Sequence, residues 1–324
     1  MKKRVLALAL AVMLGAAAGA EAQTYPSRPI TMIVPFAAGG PTDTLARVLG
    51  ERMKAALGQS VIIENVTGAA GSIGVGRVAR ATPDGYTLGI GHWSTHVVNG
   101  AIYALQYDLL NDFEPVSMLP SNPQLIVAKN AVPAKDLKEL IAWVKANQDK
   151  ISAGTAGAGS ASHVSGVYFQ NTTGTRFPFV PYRGAGPAMQ DLVAGQIDLM
   201  FDQSSNSLPH VRGGKIKAYA VTAKARLGSA PDIPTVDEAG LPGFYIAVWH
   251  GLWAPKNTPK DIVAKINTAV VEALADPRVK QRLGDLGLDI PTREQQTPEG
   301  LSAHHKAEID KWWPIIKAAN IKGE

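Results

Sequence analysis

Short apolar runs alternate with amphipathic stretches from residue 30 onward. Ile30–Val34, Val61–Glu64 and Thr87–Gly91 read as strands. Within Thr42–Leu57, the apolar residues Leu45, Val48, Leu49, Met53, Ala56 and Leu57 share one helical face. This βαβα alternation predicts a parallel sheet covered by helices. A second series starts at Leu125–Ala128. It continues through a helix over Asp136–Asn147, with Leu137, Leu140, Ile141 and Val144 on one stripe, and adds strands near Ile151, Phe179, Leu199 and Ile216–Val221. Two α/β lobes are expected rather than one long sheet.

Toward the C-terminus, Thr258-Pro-Lys-Asp261 offers an N-cap Thr, a Pro at the first helical position and an acid in the first turn. Ile262, Val263, Ile266, Val270 and Leu274 then supply a buried stripe. Thr297-Pro-Glu299 repeats the opening for a helix through Lys311-Trp-Trp313. Pro234, Pro242 and Pro255 bracket Phe244–Trp253, a strand expected to return from the second lobe to the first. Crossings near Pro123 and Pro242 would form a hinge, with 23–124 plus 243–324 in one lobe and 125–242 in the other.

The strand-to-helix junctions share a chemistry. Ile30 to Asp43, Val61 to Gly74 and Ile151 to His163 each pass from an apolar strand through Gly, Ala, Ser and Thr into a helix. A fourth, Phe179 to Met189, differs by carrying Arg183. Small side chains let a ligand reach backbone N–H groups, and a helix's first turn leaves those donors unpaired. Roughly half a positive charge accumulates there, which suits a carboxylate or phosphate. Four nearly uncharged cups suggest an anion that is held and released intact.

Met1-Lys-Lys-Arg4, the Ala-rich apolar Val5–Gly19 and Ala20-Glu-Ala22 before Gln23 form a secretory signal peptide, with cleavage expected after Ala22. Its apolar core is too short to span a membrane, and no later segment is apolar enough to do so. A bacterial periplasmic protein, not itself membrane-embedded, is therefore expected. The chain of 324 residues has no Cys, which excludes disulfides, thiolate nucleophiles and Cys-based zinc sites. Its formal net charge is +5, and removing Lys2, Lys3, Arg4 and Glu21 with residues 1–22 lowers it to +3. Without a basic run, that balance does not argue for nucleic acid.

Enzyme signatures are mostly absent. There is no G-x-S-x-G nucleophile elbow, no P-loop and no G-x-G-x-x-G. Ser160 or Ser162 reads as a helix N-cap whose hydroxyl can face a ligand, with His163 in the first turn as a hydrogen-bonding residue. His92 and His96 share i,i+4 spacing, but their segment lacks the Glu of H-E-x-x-H and a third ligand, so no metal and no cofactor are expected. Trp93 either stacks on a planar ligand or packs at the hinge. Asp43 braces the first loop at its helix start. Arg183 either forks onto a carboxylate or pairs with Asp202. Asp202 either accepts a ligand ammonium or hydroxyl, or caps the next helix at Ser204–Ser207.

With these pieces in this order, the chain resembles the periplasmic solute-binding proteins of tripartite tricarboxylate transporters, the Bug receptors. The likeness runs through Pro35-Phe-Ala-Ala-Gly-Gly-Pro-Thr-Asp43, Asn65-Val-Thr-Gly-Ala-Ala-Gly-Ser-Ile-Gly74, Asp84-Gly-Tyr-Thr-Leu88, Gly157-Ala-Gly-Ser-Ala-Ser-His163, Tyr182 to Asp202 and Trp253-Ala-Pro-Lys-Asn-Thr-Pro259. It implies a two-lobed, type II periplasmic-binding fold (a Venus flytrap), each lobe a mixed sheet flanked by helices. It also implies a small organic acid as ligand, membrane carrier subunits as partners, and no enzymatic activity. A monomer is expected.

The family's carboxylate contacts map to Phe36, Ala37, Ala38 and Gly39 and to Gly68, Ala69, Ala70 and Gly71. Second-lobe contacts map to Thr155, Ser160, Ser162 and His163 and to Arg183, Gly184 and Ala185. Asp202 matches the acid that meets the distal end of amino-acid ligands. Trp93, Ser94 and Thr95 are also expected at the ligand: His92-Trp93-Ser94-Thr95-His96 stands where members often have Ser/Thr and small residues after the third strand, and its Trp and His residues point toward an aromatic or heteroaromatic carboxylate. Two other readings remain at this level: presentation of the ligand to a sensor kinase, and an exported hydrolase using Ser162.

Overall fold

The computed structural model describes residues 25–318 and 321–322, so the expected signal peptide lies outside the described residues. The first half opens with β1 (Ile30–Val34), α1 (Pro41–Leu57), β2 (Val61–Asn65), α2 (Ser72–Ala79) and β3 (Thr87–His92). β1 pairs in parallel with β2 and β3. The stripe on α1 is apolar because Leu45, Leu49 and Met53 are fully shielded, each contributing about 1.5–3 kcal/mol of burial. A π-helical turn at Ser94–Val98 and the one-turn α3 (Asn99–Ile102) follow β3.

The long β4 (Phe113–Lys129) joins the halves. Its first part pairs antiparallel with β9 (Ala247–Pro255) from Phe113 to Pro123. From Leu125 onward it pairs antiparallel with β7 (Leu199–Gln203) on one side and β8 (Ile216–Val221) on the other. β5 (Ala153–Thr155) joins β6 (Phe179–Pro181) and β7 in parallel. The path β2-β1-β3-β9-β4-β7-β5-β6, with β8 on β4, is thus two helix-flanked sheets sharing one strand. The second half also holds α4 (Leu137–Ala146), α5 (Ala161–Thr173), α6 (Ala185–Val193) and α7 (Ser204–Arg212); α8 (Lys260–Ala275), α9 (Pro277–Asp285) and α10 (Pro298–Ala318) then cover the first.

Leu125–Ala128 is therefore the end of a strand that began in the other half, not the opening strand of a separate lobe. The ladder tolerates Pro115 and Pro120 because its register shifts between Pro115 and Ser117 and between Leu119 and Asn122, and Pro123 falls at the last pair with β9, opposite Ala247. The returning strand starts at Ala247, not Phe244. Thr258 does not cap α8 either: its hydroxyl donates to the Pro255 carbonyl at 2.7 Å, and Pro259 holds the N-cap position without a side-chain bond. Thr297 does accept the Gly300 amide at 3.0 Å and so caps α10.

One apolar cluster runs from Val75, Trp93 and Trp253 in the first half to Phe169, Phe201 and Phe244 in the second. Two further clusters fill the opposite faces, one per half. The C-terminal ends of β1, β3, β5 and β7 converge where the shared strand crosses, and the small-residue loops face each other there.

Candidate functional site

The first-half wall is built from backbone. After β1, Phe36 stacks on His92 with centroids 4.9 Å apart and planes within 7°. Asn65 donates to the Phe36 carbonyl at 2.9 Å and to Asp43 at 3.0 Å. Asp43 also accepts from the Gly39 amide at 2.9 Å and from Arg47 at 2.9 Å, which fastens the Ala37–Gly39 turn to α1. Burial alone would raise the Asp43 pKa, but the bonds from Arg47, Gly39 and Asn65 hold it below the usual carboxylate range.

The second turn of this wall, Gly68–Gly71, has φ values of 125°, 45°, 48° and 93°. Two consecutive alanines in the left-handed region are strained by roughly 1–2 kcal/mol each. Asn99 holds the turn, donating to the Ala70 carbonyl at 3.1 Å and to Ser72 Oγ at 3.0 Å. Gly71 is required: a Cβ there would lie 2.7 Å from Thr95 Cγ2. The amides of Ala69 and Ala70 donate to no other described residue. Successive N–H groups in this conformation form a concave donor pair suited to an anion.

The second-half wall is held by side chains. Ser162 Oγ accepts the Ala156 amide at 2.9 Å and meets Ser160 Oγ at 3.0 Å. Ser160 caps α5 by accepting from the His163 amide, and His163 Nδ1 accepts the Gly159 amide at 3.0 Å. Thr155 Oγ1 accepts from the Gly157 amide at 3.4 Å. Tyr182 donates to Asp191 at 2.6 Å; burial and then this bond push its phenol up to about 12. Arg183 is exposed and forms no ion pair among the described residues.

Between the walls lies a cavity of about 600 Å³. The first half contributes Phe36, Gly68–Gly71 and Tyr103; the second contributes Ala156–Ala158, Pro181, Tyr182, Arg183 and Pro187. Among the described residues, Arg183 is the one charged residue lining it, and no described carboxylate does. Beside the cavity the halves touch directly. The Ala37 amide donates to the Arg183 carbonyl at 3.1 Å, and Tyr103 donates to the Ala158 carbonyl at 2.6 Å. A Cβ on Gly184 would lie 3.0 Å from the Ala37 nitrogen, and one on Gly186 would lie 3.1 Å from the Gly39 carbonyl carbon.

The family model for the tripartite tricarboxylate transporter family receptors (TctC) matches residues 45–321. The chain belongs to this family. Three solved structures resemble the receptor over nearly all of its length. The periplasmic binding protein BugD shares 42% identity over 93% of this chain and 100% of its own, with a TM-score of 0.89. MatC from Rhodopseudomonas palustris, with bound malate, shares 44% identity over 90% of this chain and 100% of its own, with a TM-score of 0.87. Rpa4515 from R. palustris, with adipate, shares 33% identity over 93% of this chain and 100% of its own, with a TM-score of 0.88. The receptor's fold is thus the two-lobed periplasmic-binding type, and its family is one of solute receptors rather than enzymes.

Of the residues singled out in the receptor's sequence, Phe36, Gly68, Ala69, Ala70, Gly71 and Arg183 line the cavity. Ala37, Ala38, Gly39, Gly184 and Ala185 lie outside its lining, where the lobes meet. Thr155, Ser160, Ser162 and His163 stand behind the wall and brace it. Trp93 is in the core, edge-on to Trp312 at 4.7 Å. Ser94 bonds His92 Nδ1, and Thr95 bonds both the His92 amide and His96 Nδ1 beneath the Gly68–Gly71 turn. Asp202 is buried and bonded by Asn206 at 2.8 Å and Ser207 at 2.6 Å; burial pushes its carboxyl up to about 7. It pairs with neither Arg183 nor the cavity. His92 and His96 are buried and held neutral by burial, and no described cluster of His, Cys, Asp or Glu could hold a metal. No described helix is long and apolar enough to cross a membrane.

Sequence reasoning missed Tyr103, Ala156–Ala158, Pro181, Tyr182 and Pro187. Only the small-residue composition of 156–158 carried a signal. Tyr103 follows a π-helical turn and a single helical turn, which have no hydrophobic period to read.

Proposed function

We propose that this receptor captures a small organic acid in the interlobe cavity and delivers it from the periplasm to membrane carrier subunits. The lobes are taken as 23–124 plus 243–324 and 125–242, with export following cleavage after Ala22. The supporting observation is the cavity itself: among the described residues it has two unpaired, strained amides on one wall, a guanidinium without an ion pair on the other, and no competing carboxylate. One carboxylate sits against the amides of Ala69 and Ala70, and Arg183 meets the ligand from the second lobe. Charge-assisted hydrogen bonds of about 1.5–3 kcal/mol each make a few sufficient for micromolar binding, which needs about 8 kcal/mol.

The same cavity favours acids without an amino group. Asp202, the acid available to meet an ammonium, is turned to the first turn of α7 and occupied by Asn206 and Ser207. The apolar faces of Phe36, Tyr103 and the two prolines suit a hydrocarbon or aryl body. A thermal-shift panel of malate, adipate, benzoate and aspartate tests this. Ligand at 100-fold its Kd stabilises by about 2.7 kcal/mol, so a bound acid raises Tm visibly. At least one unaminated acid is expected to do so and aspartate is not; aspartate giving the largest shift would refute the ligand class, and no response to any organic acid would refute the function.

A further inference from the structure

The segment Asn99–Tyr103 touches both walls of the cavity at once. Its first residue, Asn99, holds the strained turn of the first lobe through the Ala70 carbonyl and Ser72. Its last, Tyr103, reaches the second lobe and donates to the Ala158 carbonyl at 2.6 Å. Between them, Ile102 lies against Gly159, where an added Cβ would come 2.2 Å from Ile102 Cδ1 and 3.3 Å from Tyr103 Cε2. Gly159 has φ +81°, so a residue without a side chain both permits this approach and adopts this backbone. Tyr103 also forms part of the cavity lining.

We propose that Tyr103 is a closure latch: a positioning residue whose hydroxyl bonds lobe to lobe, so that the receptor favours its closed form before any acid contributes. Ala158 is the partner through its main chain, and the bond can form only when the lobes meet. The Ala37 amide and Arg183 carbonyl make a second such bond beside the cavity, so the cleft is pinned at two points. An acid then binds a pre-organised site, and its apparent affinity carries a smaller penalty from the open population. Loss of the latch lowers affinity through that population, even for an acid that never touches the hydroxyl. This inference rests on the two-lobed capture reading given above.

The test needs no ligand. The chain has no cysteine, so Ile62→Cys and Val193→Cys place one spin label on an exposed site of each lobe. Interlobe distances are measured by pulsed electron spin resonance without acid, with and without Tyr103→Phe. Phe keeps the ring and removes only the donor. Wild type is expected to be mainly closed, and Tyr103→Phe to shift the closed-to-open ratio about fivefold toward open, the effect of one hydrogen bond. A Tyr103→Phe distribution superimposable on wild type, or a wild-type distribution centred on the open separation, overturns the latch. A variant that unfolds would show in its circular dichroism; Tyr103→Leu, whose side chain has no donor, then takes its place with the same expected shift. Failure here leaves the thermal-shift result with organic acids intact, whereas failure of the carboxylate reading appears in that panel alone.

Discussion

The two walls of the cavity solve the same problem differently. The first-lobe wall presents main-chain donors in a conformation alanine disfavours, fixed by Asn99 beneath it and by Gly71, where no side chain fits. The second-lobe wall presents the charged Arg183 beside a separate loop, Ala156–Gly159, whose amides are already taken by Thr155, Ser162 and His163. In the proposed capture, one wall meets an anion by fixed geometry and the other by charge. Fixed amides discriminate a planar carboxylate from other shapes, while a flexible guanidinium accepts ligands of different length. On the proposed capture reading, carboxylate recognition falls to the first lobe and tolerance of ligand size to the second.

The largest effect should come from spoiling the rigid wall. Ala70→Asp supplies a residue type that tolerates the left-handed conformation but places a negative charge at the donors. Like charges brought together weaken binding on the order of 100-fold or more in titration calorimetry. Near-normal affinity would remove the Gly68–Gly71 turn from the account. Next is Arg183→Ala, which removes one charge-assisted contact and should raise Kd about 10- to 100-fold; Arg183→Lys recovers part of the charge but not the planar fork. If Arg183→Ala binds like wild type, the second wall acts by shape alone.

Ser162→Ala should act more mildly, because it frees the Ala156 amide and loosens the second wall without touching the ligand. A loss of about 1 kcal/mol in stability with a severalfold weaker Kd is expected from denaturant melts and calorimetry. Unchanged stability would show that the loop is held by Ser160 and Thr155 alone.

The smallest effect on binding belongs to Asp202→Asn, which should leave Kd unchanged while altering pH dependence. Its folded pKa, about 7, lies above the ordinary 3.8. Folding therefore favours the protonated acid, and that contribution is lost as pH rises from about 4 to 7. The buried His250 and His305, each near 4, act oppositely: their contribution is present above 6.5 and is lost as pH falls toward 4. Subtracting the mutant's Tm curve from the wild type's isolates Asp202. The difference should fall across that window; a flat difference would contradict the assignment.

Much of this architecture is legible in the chain, and the exceptions have physical causes. β1 read directly because a buried strand with parallel neighbours on both sides is a nearly continuous apolar run, and β8, an antiparallel strand on β4, read from its apolar Ile216 and Ala218–Val221. β4 was hidden because its three prolines resemble strand breakers; only the register shifts, which are tertiary, let one strand cross both lobes. The turn at Gly68–Gly71 and the charge at Arg183 showed as composition and spacing. The hydroxyls of Ser160 and Ser162 did not reveal whether they faced a ligand or their own loop, since either use has the same sequence. Trp93 followed the third strand as a ligand-stacking residue would, yet Trp312 of α10, far along the chain, draws it into the core.

A crystal structure of the receptor with the acid that most raises its Tm tests the central claim most directly. The account predicts a carboxylate within hydrogen-bonding distance of the Ala69 and Ala70 amides, with Arg183 closing over the ligand. A carboxylate held outside the interlobe cavity, or inside it but away from those two amides, would contradict it.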